Sequence, residues 1–540
     1  MNKRVWVQFG LALLFGGAVQ GGGFSKFVIR NRPPVYTVTE PSNDKPVWEI
    51  GRLDGESGDF ALAPDQYEEF LKHDFGWENR FYLIGHHTPE KDFPYTLPGA
   101  SSTWGGTWGT SGWRTHVLNI LFGLAEEPVA AQWKLRVALS GNDSEEDTLL
   151  KVTVNGHSWK EYIPKSKGSL KRPDNQKQRI MEFPVEAGML HCGGNEVNLT
   201  ILRGSWVTFD QVSLHCSEKA VLTKPKKAFV RSVVPADYEM TAGLSKKTQP
   251  LLVHVEHLEG EPELSVLLDG KQIFSSVLEE GDSVFEAPMP AVSKARTGSY
   301  EIRLDGKTVR AGTVERASAP LQTPADYVDT LIGTGHSRWM IAPGPWMPFS
   351  MVKLSPDNQN GGWQAGYEPS IENIGTFSHV HEWTLGGLGI MPTAGKLETV
   401  MGGEHCPEDG YRSEIDKASE KAPLGHYEVM LTDYNIKAEL TATTRCGFQR
   451  HTFSDNNQSR VMVDLKIPAE NNYRIEGVKI EKVSDHRIEG FSRHSASAWG
   501  GCRQEYTVHF VIEFDRPIAT FGIWENEKVH HVDFLECGGV

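Results

Sequence analysis

Short runs in which apolar and polar residues alternate recur along most of the chain, separated by Gly, Asn and Asp. Examples are LLKVTVNG, NEVNLTILRG, LSVLLDGK, SYEIRLDGK and YTVHFVIEF. A period of two places successive side chains on opposite faces of a strand, and helical periodicity is rare in this sequence. The pattern therefore predicts an all-β protein built from consecutive β-sandwich domains.

Two copies of the tetrapeptide LDGK, at residues 268–271 and 304–307, follow apolar runs. Asp-Gly favours the tight two-residue turns that join antiparallel strands. Both copies lie in residues 221–322, which we expect to form an immunoglobulin-like β domain. That domain ends in ERASAPLQTPAD, a linker rich in Ala, Pro and Thr.

The N-terminus has the layout of a secretory signal peptide. Lys3 and Arg4 precede an apolar run from Val5 to about Phe15, and small residues follow. We assign residues 1–23 to this peptide and expect a secreted or periplasmic protein with no membrane span after cleavage. An uncleaved anchor is the alternative, although the run is short for a spanning helix.

Composition narrows the possible ligands. Lys and Arg number 55 against 70 Asp and Glu, a net charge of −15, which argues against a nucleic-acid partner. The 15 Trp suit either stacking on sugars or the cores of β-sandwiches. The six cysteines form no CxxC, so a structural zinc site is not expected. Export permits a disulfide between Cys192 and Cys216, and free thiols are an equal alternative.

The first part of the chain resembles a known domain. Its opening, PVWEIGRLDGESGDF (46–60), and its later stretches, FPVEAGML (183–190) and NEVNLTILRGSWVTFDQVSLHC (195–216), resemble the carbohydrate-binding-like third domain of rhamnogalacturonan lyases, polysaccharide lyase family 4. The resemblance implies a jelly-roll sandwich over residues 24–220. The resemblance does not extend to the lyase's catalytic domain. Whether this sandwich binds glycans stays an open question.

A second set of motifs follows the linker. It comprises IGTG (332–335), PG (343–344), PFSMV (348–352), LSPD (354–357), FSHVH (377–381), MPT (391–393) and GHYEVMLTDYNIKAELTATTRCGFQRHTF (425–453). Their order and spacing resemble the N-terminal domain of glycoside hydrolase family 92, the exported calcium-dependent α-mannosidases. We therefore assign residues 323–540 to this domain, in truncated form. Departures such as HSRW (336–339) leave the sugar linkage open.

The motif FSHVHE raises the question of a site. His379 and His381 are two apart, so a strand would aim both imidazoles at one face. A metal site, ordinary packing and a sugar site all use such a pair. Glu382 would point to the opposite face, which weakens the metal interpretation, and we predict no metal ligand. The resemblance favours a sugar site, because this region of the family's sandwich faces the active-site cleft.

The predicted substrate-binding residues combine backbone, stacking rings and neutral polar groups. They are Gly335, His336, Trp339, Trp363, Gln364, His379, His381 and Cys502. None of them is a carboxylate, so no catalytic residue is predicted in this chain. The resemblance implies that the acid, the base and most ligands of the calcium cofactor lie in a C-terminal helical domain.

The sequence ends at VHHVDFLECGGV (529–540) without such a helical region. We therefore expect part of an exported α-mannosidase that hydrolyses terminal α-linked mannose with inversion and is inactive alone. Its partners would be a glycan with terminal α-mannose and the missing catalytic domain, which would cover an exposed apolar face. The alternative is a non-catalytic carbohydrate-binding or accessory β-sandwich protein.

Overall fold

The structure is a computed structural model. It describes residues 3–8, 36–38, 46–64, 66, 69, 80–99, 116–167, 178–242, 246–334, 342–358, 366–369, 371–380, 387–404, 407–454, 458–465, 474–497, 503–525 and 527–538. Helix in these residues is limited to one α-helical turn, α1 (Pro89–Asp92), and the 3-10 segments Ala187–Met189, Pro324–Tyr327 and Pro407–Asp409. The all-β prediction is confirmed. No described helix is long and apolar enough to cross a membrane.

The first strand, β1 (Lys3–Gln8), belongs to a sheet of the third domain, which otherwise consists of strands from residue 355 onward. The first sandwich consists of β2 (Tyr36–Val38), β3 (Pro46–Ile50), β4 (Phe81–Leu83), β5 (Thr96–Pro98), β6 (Val117–Leu124), β7 (Trp133–Asp143), β8 (Thr148–Val154), β9 (His157–Ile163), β10 (Arg179–Val185), β11 (Gly193–Arg203) and β12 (Trp206–Cys216). One sheet has the order β2-β10-β7-β12-β3 with β5 beside β12, and the other has the order β4-β6-β11-β8-β9.

Apolar side chains from both sheets form one continuous core in this sandwich. Trp48, Trp133 and Trp159 are buried in it, so these tryptophans serve packing and not ligand stacking. Cys192 and Cys216 are free thiols, which matches the unpaired alternative. The predicted jelly-roll therefore has a core typical of an independent β-sandwich.

The second sandwich consists of β13 (Ala228–Pro235), β14 (Met240–Ala242), β15 (Lys246–His257), β16 (Glu263–Leu268), β17 (Lys271–Val277), β18 (Asp282–Pro290), β19 (Arg296–Leu304) and β20 (Lys307–Arg316). β15 pairs with β13, β14 and β18, and the opposing sheet has the order β17-β16-β19-β20. Both LDGK stretches turn as predicted. Asp269 (φ 49°), Gly270 (φ 77°), Asp305 (φ 49°) and Gly306 (φ 76°) adopt the left-handed conformation of type I′ turns.

The third domain contains the remaining strands. They are β21 (Ser355–Asp357), β22 (Asn373–Ile374), β23 (Thr376–Ser378), β24 (Gly389–Thr393), β25 (Ser413–Lys421), β26 (Tyr427–Leu431), β27 (Ile436–Ala442), β28 (Gly447–Phe453), β29 (Arg460–Asp464), β30 (Arg474–Ser484), β31 (Arg487–Ser497), β32 (Arg503–Glu513), β33 (Thr520–Glu525), β34 (Lys528–His530) and β35 (Phe534–Gly538). Its three sheets have the orders β21-β23-β24-β29-β1-β33-β34, β22-β25-β26-β27-β28 and β32-β31-β30-β35.

β1 lies inside the segment that we assign to a signal peptide. Its backbone pairs antiparallel with β29 on one side and with β33 on the other. Cleavage of the segment is not tested by this pairing, and the signal peptide stays a prediction.

The chain divides into two compact units. Arg32–Gly105 and Thr115–Pro324 form one unit, which holds the first two sandwiches, and Ala325–Val540 forms the other together with Met1–Asn31 and Gly106–Arg114. The predicted domain limits at residues 23, 220 and 322 stay predictions.

Several large apolar side chains of the third domain are exposed near its beginning. Ile332 is 74% exposed, Met351 is 74% exposed and Phe349 is fully exposed at 100%. Phe349 also has φ 57°, a left-handed conformation that is unusual for a bulky residue. These side chains form exposed apolar surface, and its cover by a further domain stays a prediction.

Candidate functional site

His379 directly follows β23, and backbone hydrogen bonds hold it on both sides. Its N–H donates to the carbonyl of Leu388 over 3.0 Å, and its carbonyl accepts from Lys353 N–H over 2.9 Å. The residue is therefore fixed between two neighbouring segments and does not depend on its side chain for position.

The imidazole of His379 lies over β28. An added Cβ at Gly447 would be 2.7 Å from His379 Cδ2, so only glycine leaves room for this ring. Residues 447, 449 and 451 alternate with exposed positions along β28 and share its inner face. Gly447 therefore provides the space that brings His379 next to Gln449.

His379, Gln449 and His451 form a hydrogen-bonded series, named here the His–Gln–His group. Gln449 Nε2 lies 3.5 Å from His379 Nε2, a long contact, and Gln449 Oε1 lies 3.0 Å from His451 Nε2. With the amide nitrogen donating to His379 and the amide oxygen accepting from His451, His379 carries its proton on Nδ1. That Nδ1 is buried, and the Leu388 backbone is the polar group that acts on the ring.

Burial keeps these imidazoles neutral. It lowers the pKa of His379 to about 4, with the Leu388 backbone opposing the shift, and lowers the pKa of His451 to about 4. His494 on β31 is also buried, which lowers its pKa to about 4, and its ring stacks on Tyr506 with centroids 5.0 Å apart. Neutral imidazoles can donate and accept hydrogen bonds, but they are poor proton donors near neutral pH.

The other predicted site residues lie outside the described residues. They are Gly335, His336, Trp339, Trp363, Gln364, His381 and Cys502. The structure does describe the residues that flank their segments, and these flanks show which segments start near His379.

Two of these segments have flanks near His379. Gly344 lies against the Leu354 carbonyl, just before Ser355, which pairs with Ser378. Gly387 directly precedes Leu388, whose carbonyl accepts from His379 N–H. The segments 335–341 and 381–386 therefore have flanks at this part of the domain.

The segment with Trp363 and Gln364 leaves from the opposite end of β21. Asn358 N–H donates to Gly366 O over 2.9 Å, and the Asn358 side chain donates to Glu368 O over 2.8 Å. The first of these hydrogen bonds joins Asn358 to Gly366, the residues on either side of the segment. Because Asp357 pairs with Thr376, and not with Ser378, these two residues lie about 10 Å along the strand from His379.

One group in the described part of this domain has the spacing of metal ligands, namely His426, Glu428 and Glu439. Lys437 Nζ lies 2.9 Å from Glu428, and Arg450 binds Glu439 with a distance of 2.5 Å. The hydrogen bond from Arg450 lowers the pKa of Glu439 to about 2. These cations already neutralise the carboxylates, so the group is unsuited to calcium, which takes six to eight oxygen ligands.

Comparison with known proteins identifies the two larger parts of the chain. Residues 327–535 match the glycosyl hydrolase family 92 N-terminal domain, and residues 46–214 match the CBM-like domain III of polysaccharide lyase family 4. The third domain is therefore similar to the family 92 N-terminal domain, and we name it the family 92 domain after this match. Both resemblances inferred from the motifs are therefore confirmed.

A curated relative is an uncharacterized secreted glycosidase from Arthroderma benhamiae, 29% identical over 155 residues, which are 26% of this chain and 19% of the relative. A solved family GH92 alpha-mannosidase from Bacteroides thetaiotaomicron is 25% identical, with 41% of this chain and 31% of that chain covered and a TM-score of 0.37. The same enzyme solved with mannoimidazole gives 26% identity, 40% and 29% coverage and a TM-score of 0.36. The chain thus spans about a fifth of the curated relative and under a third of the solved chains.

Sequence reasoning missed three residues of the family 92 domain: Gln449, His451 and His494. The stretch GFQRHTF was part of the family motif, and its alternation places Gln449 and His451 on one strand face. That signal was available. His494 carried no comparable signal, because it stands alone in a polar strand.

Proposed function

We propose that this protein processes glycans as part of an exported α-mannosidase that hydrolyses terminal α-linked mannose with inversion. The match of residues 327–535 to family 92 and the family's mannosidase relatives support this proposal. Export is supported by the predicted signal peptide and by the secreted relative.

The His–Gln–His group carries the proposed role of this domain. Neutral imidazoles beside an amide can donate to and accept from sugar hydroxyls. Inverting glycosidases need two carboxyl groups, one as acid and one as base. No carboxylate takes part in this group, so the domain orients the sugar and the proton transfers belong to other groups.

Calcium is proposed for the whole enzyme only. The His426, Glu428 and Glu439 group does not fit it, so we assign no calcium ligand among the described residues of this domain.

Calorimetric titration of the 540-residue protein with mannoimidazole tests the proposal. We expect saturable binding that weakens at least about tenfold in His379→Ala and in His451→Ala, because each loses a hydrogen bond to the ligand or to Gln449. His509→Ala, an exposed histidine on β32, serves as the matched control and should bind as the parent does. If all three variants bind mannoimidazole equally well, His379 and His451 serve only in packing.

A second candidate function is glycan binding without catalysis, which the CBM-like match of residues 46–214 favours. Under that alternative, the isolated sandwich of residues 24–220 would bind polysaccharide in a gel-shift assay, and the third domain would bind no mannoside. The mannoimidazole titration therefore separates the two functions.

A further inference from the structure

The second sandwich contains a group of metal-ligating side chains that the proposed function does not use. His254 and Glu256 are two apart on β15, and Asp282 begins the neighbouring strand β18, directly opposite Glu256. One ligand atom from each residue lies within 4.8 Å of the others, and His254 Nε2 is 2.9 Å from Asp282 Oδ2. Strand geometry therefore presents three ligands from one face of two paired strands.

The charges around this group are unbalanced. Two carboxylates stand opposite each other, which destabilises a sheet unless a cation compensates. Glu256 is buried, and the charged groups acting on it are Arg231, Asp282 and His254. Arg231 is shared, since it donates to Glu256 over 2.6 Å and to Glu196 over 3.1 Å. One guanidinium thus serves two carboxylates, Glu256 and Glu196, and Asp282 adds a third negative group beside them.

The comparable group in the third domain shows the opposite balance. Glu428 and Glu439 are contacted by Lys421, Lys437 and Arg450. A divalent cation would be repelled there, whereas it would relieve the negative charge around Glu256. The two groups share ligand types and spacing but differ in their neighbouring cations.

We propose that His254, Glu256 and Asp282 bind a divalent transition metal, with Zn²⁺ as the best match. One imidazole and two carboxylates suit zinc, whose ligands lie about 2.0–2.2 Å from the metal and roughly 3.3 Å from one another. The present 2.9 Å separation of His254 and Asp282 needs only a small opening to reach that geometry. Calcium is disfavoured because it prefers six to eight oxygen ligands. A water molecule would take the fourth coordination position of the zinc.

The metal would join β15 to β18 next to the contact between the two sandwiches. Arg231, which holds Glu256, lies on β13 and also pairs with Glu196 on β11 of the first sandwich. Gly194 allows this approach, because an added Cβ there would be 2.3 Å from the Arg231 carbonyl. Zinc is therefore expected to raise the melting temperature of the unit that holds both sandwiches.

Titration of the chelator-treated full chain with ZnCl₂, followed by calorimetry and by thermal melting, tests the site. We expect one zinc per chain and a higher melting temperature, with no comparable effect from CaCl₂. Asp282→Asn should weaken zinc binding at least about tenfold. Because Asp282 is half-exposed, this change should leave the fold intact. His254→Ala should have the same effect.

His426→Ala is the matched control, because it removes the histidine of the cation-rich group in the third domain and should bind zinc like the parent. The proposal is overturned if zinc fails to bind stoichiometrically. It is equally overturned if zinc binds undiminished to Asp282→Asn and His254→Ala.

Discussion

The first sandwich and the family 92 domain differ in what they bury and in what they expose. In the first sandwich a buried charge meets its counter-ion: Arg136 is 3% exposed and donates to Glu182 Oε1 over 3.0 Å. Ser140 Oγ also lies 2.6 Å from Ser57 Oγ and donates to Thr208 Oγ1 over 2.9 Å. The family 92 domain buries the guanidinium of Arg412, which donates to Asn358 O over 2.8 Å and to Asn373 Oδ1 over 2.9 Å. It also exposes large apolar side chains such as Phe349.

This difference indicates two kinds of domain. Buried charges that meet a counter-ion, beside a continuous apolar core, are typical of a domain whose structure needs no ligand. A buried guanidinium bonded to neutral acceptors, together with neutral imidazoles inside and apolar groups outside, is a feature of ligand sites and docking surfaces. The first sandwich is therefore expected to need no ligand, and the family 92 domain is expected to act with another surface and a ligand.

The largest expected effect concerns catalysis. The 540-residue protein should show no hydrolysis of an α-mannoside, because the His–Gln–His group cannot transfer the required protons, each worth about 10²–10⁴-fold in rate. A version extended with a family 92 C-terminal domain should hydrolyse it and should lose activity with a calcium chelator. Release of the chromophore from an aryl α-mannoside measures both. If the 540-residue protein hydrolyses the α-mannoside in the presence of a chelator, the family 92 domain contains its own acid and base. Its proposed role of only orienting the sugar would then be wrong.

Core substitution should destabilise the first sandwich strongly. Trp159 is 1% exposed and packs its ring 6.1 Å from that of Phe183. Trp159→Ala should lower the free energy of unfolding by about 3–5 kcal/mol, because it removes apolar contact and leaves a cavity. Urea denaturation of the full chain, monitored by hydrogen exchange of the β9 amides, measures the loss of unfolding free energy.

Phe349→Ala is the control for this substitution in the family 92 domain. Its side chain is fully exposed, at 100%, so the free energy of unfolding should stay within about 0.5 kcal/mol of the parent. A loss as large as that of Trp159→Ala would show that Phe349 is packed in solution, and the contrast between the two domains would fail.

Acidification should affect the family 92 domain more than the first sandwich. The pKa values of His379, His451 and His494 are lowered by burial to about 4. Between their ordinary value near 6.5 and about 4 the unfolded chain binds more protons, so stability is fully present above pH 6.5 and falls as the pH drops to 4. The loss should be on the order of 3 kcal/mol for each fully buried histidine, since one pKa unit corresponds to about 1.4 kcal/mol.

Burial also lowers the pKa of His87 in the first sandwich, and we expect that domain to lose less stability over the same range than the domain with His379, His451 and His494. Urea midpoints of both domains between pH 7 and 4.5, resolved by hydrogen exchange, give the comparison. Equal losses would indicate that the three imidazoles of the family 92 domain are solvated.

The fold was predictable where the signal is local. The Asp-Gly turns at 269–270 and 305–306 and the alternating strands depend on neighbouring residues, and both were predicted correctly. The site was predictable only in part. His379 and Gln449 are 70 residues apart, and their contact depends on the space above Gly447, which no local pattern encodes. The zinc ligands likewise come from two strands whose register was unknown.

The most direct test of the central claim follows the imidazole signals of the 540-residue protein by two-dimensional NMR during addition of mannoimidazole. We expect the signals of His379 and His451 to shift together and to saturate at one ligand per chain. The signals of the exposed His509 should stay unchanged. In Gln449→Ala the signals of His379 and His451 should no longer shift together. Shifts confined to histidines of the first sandwich, or no shift at His379 and His451 at saturating ligand, would contradict a sugar-orienting role for the family 92 domain.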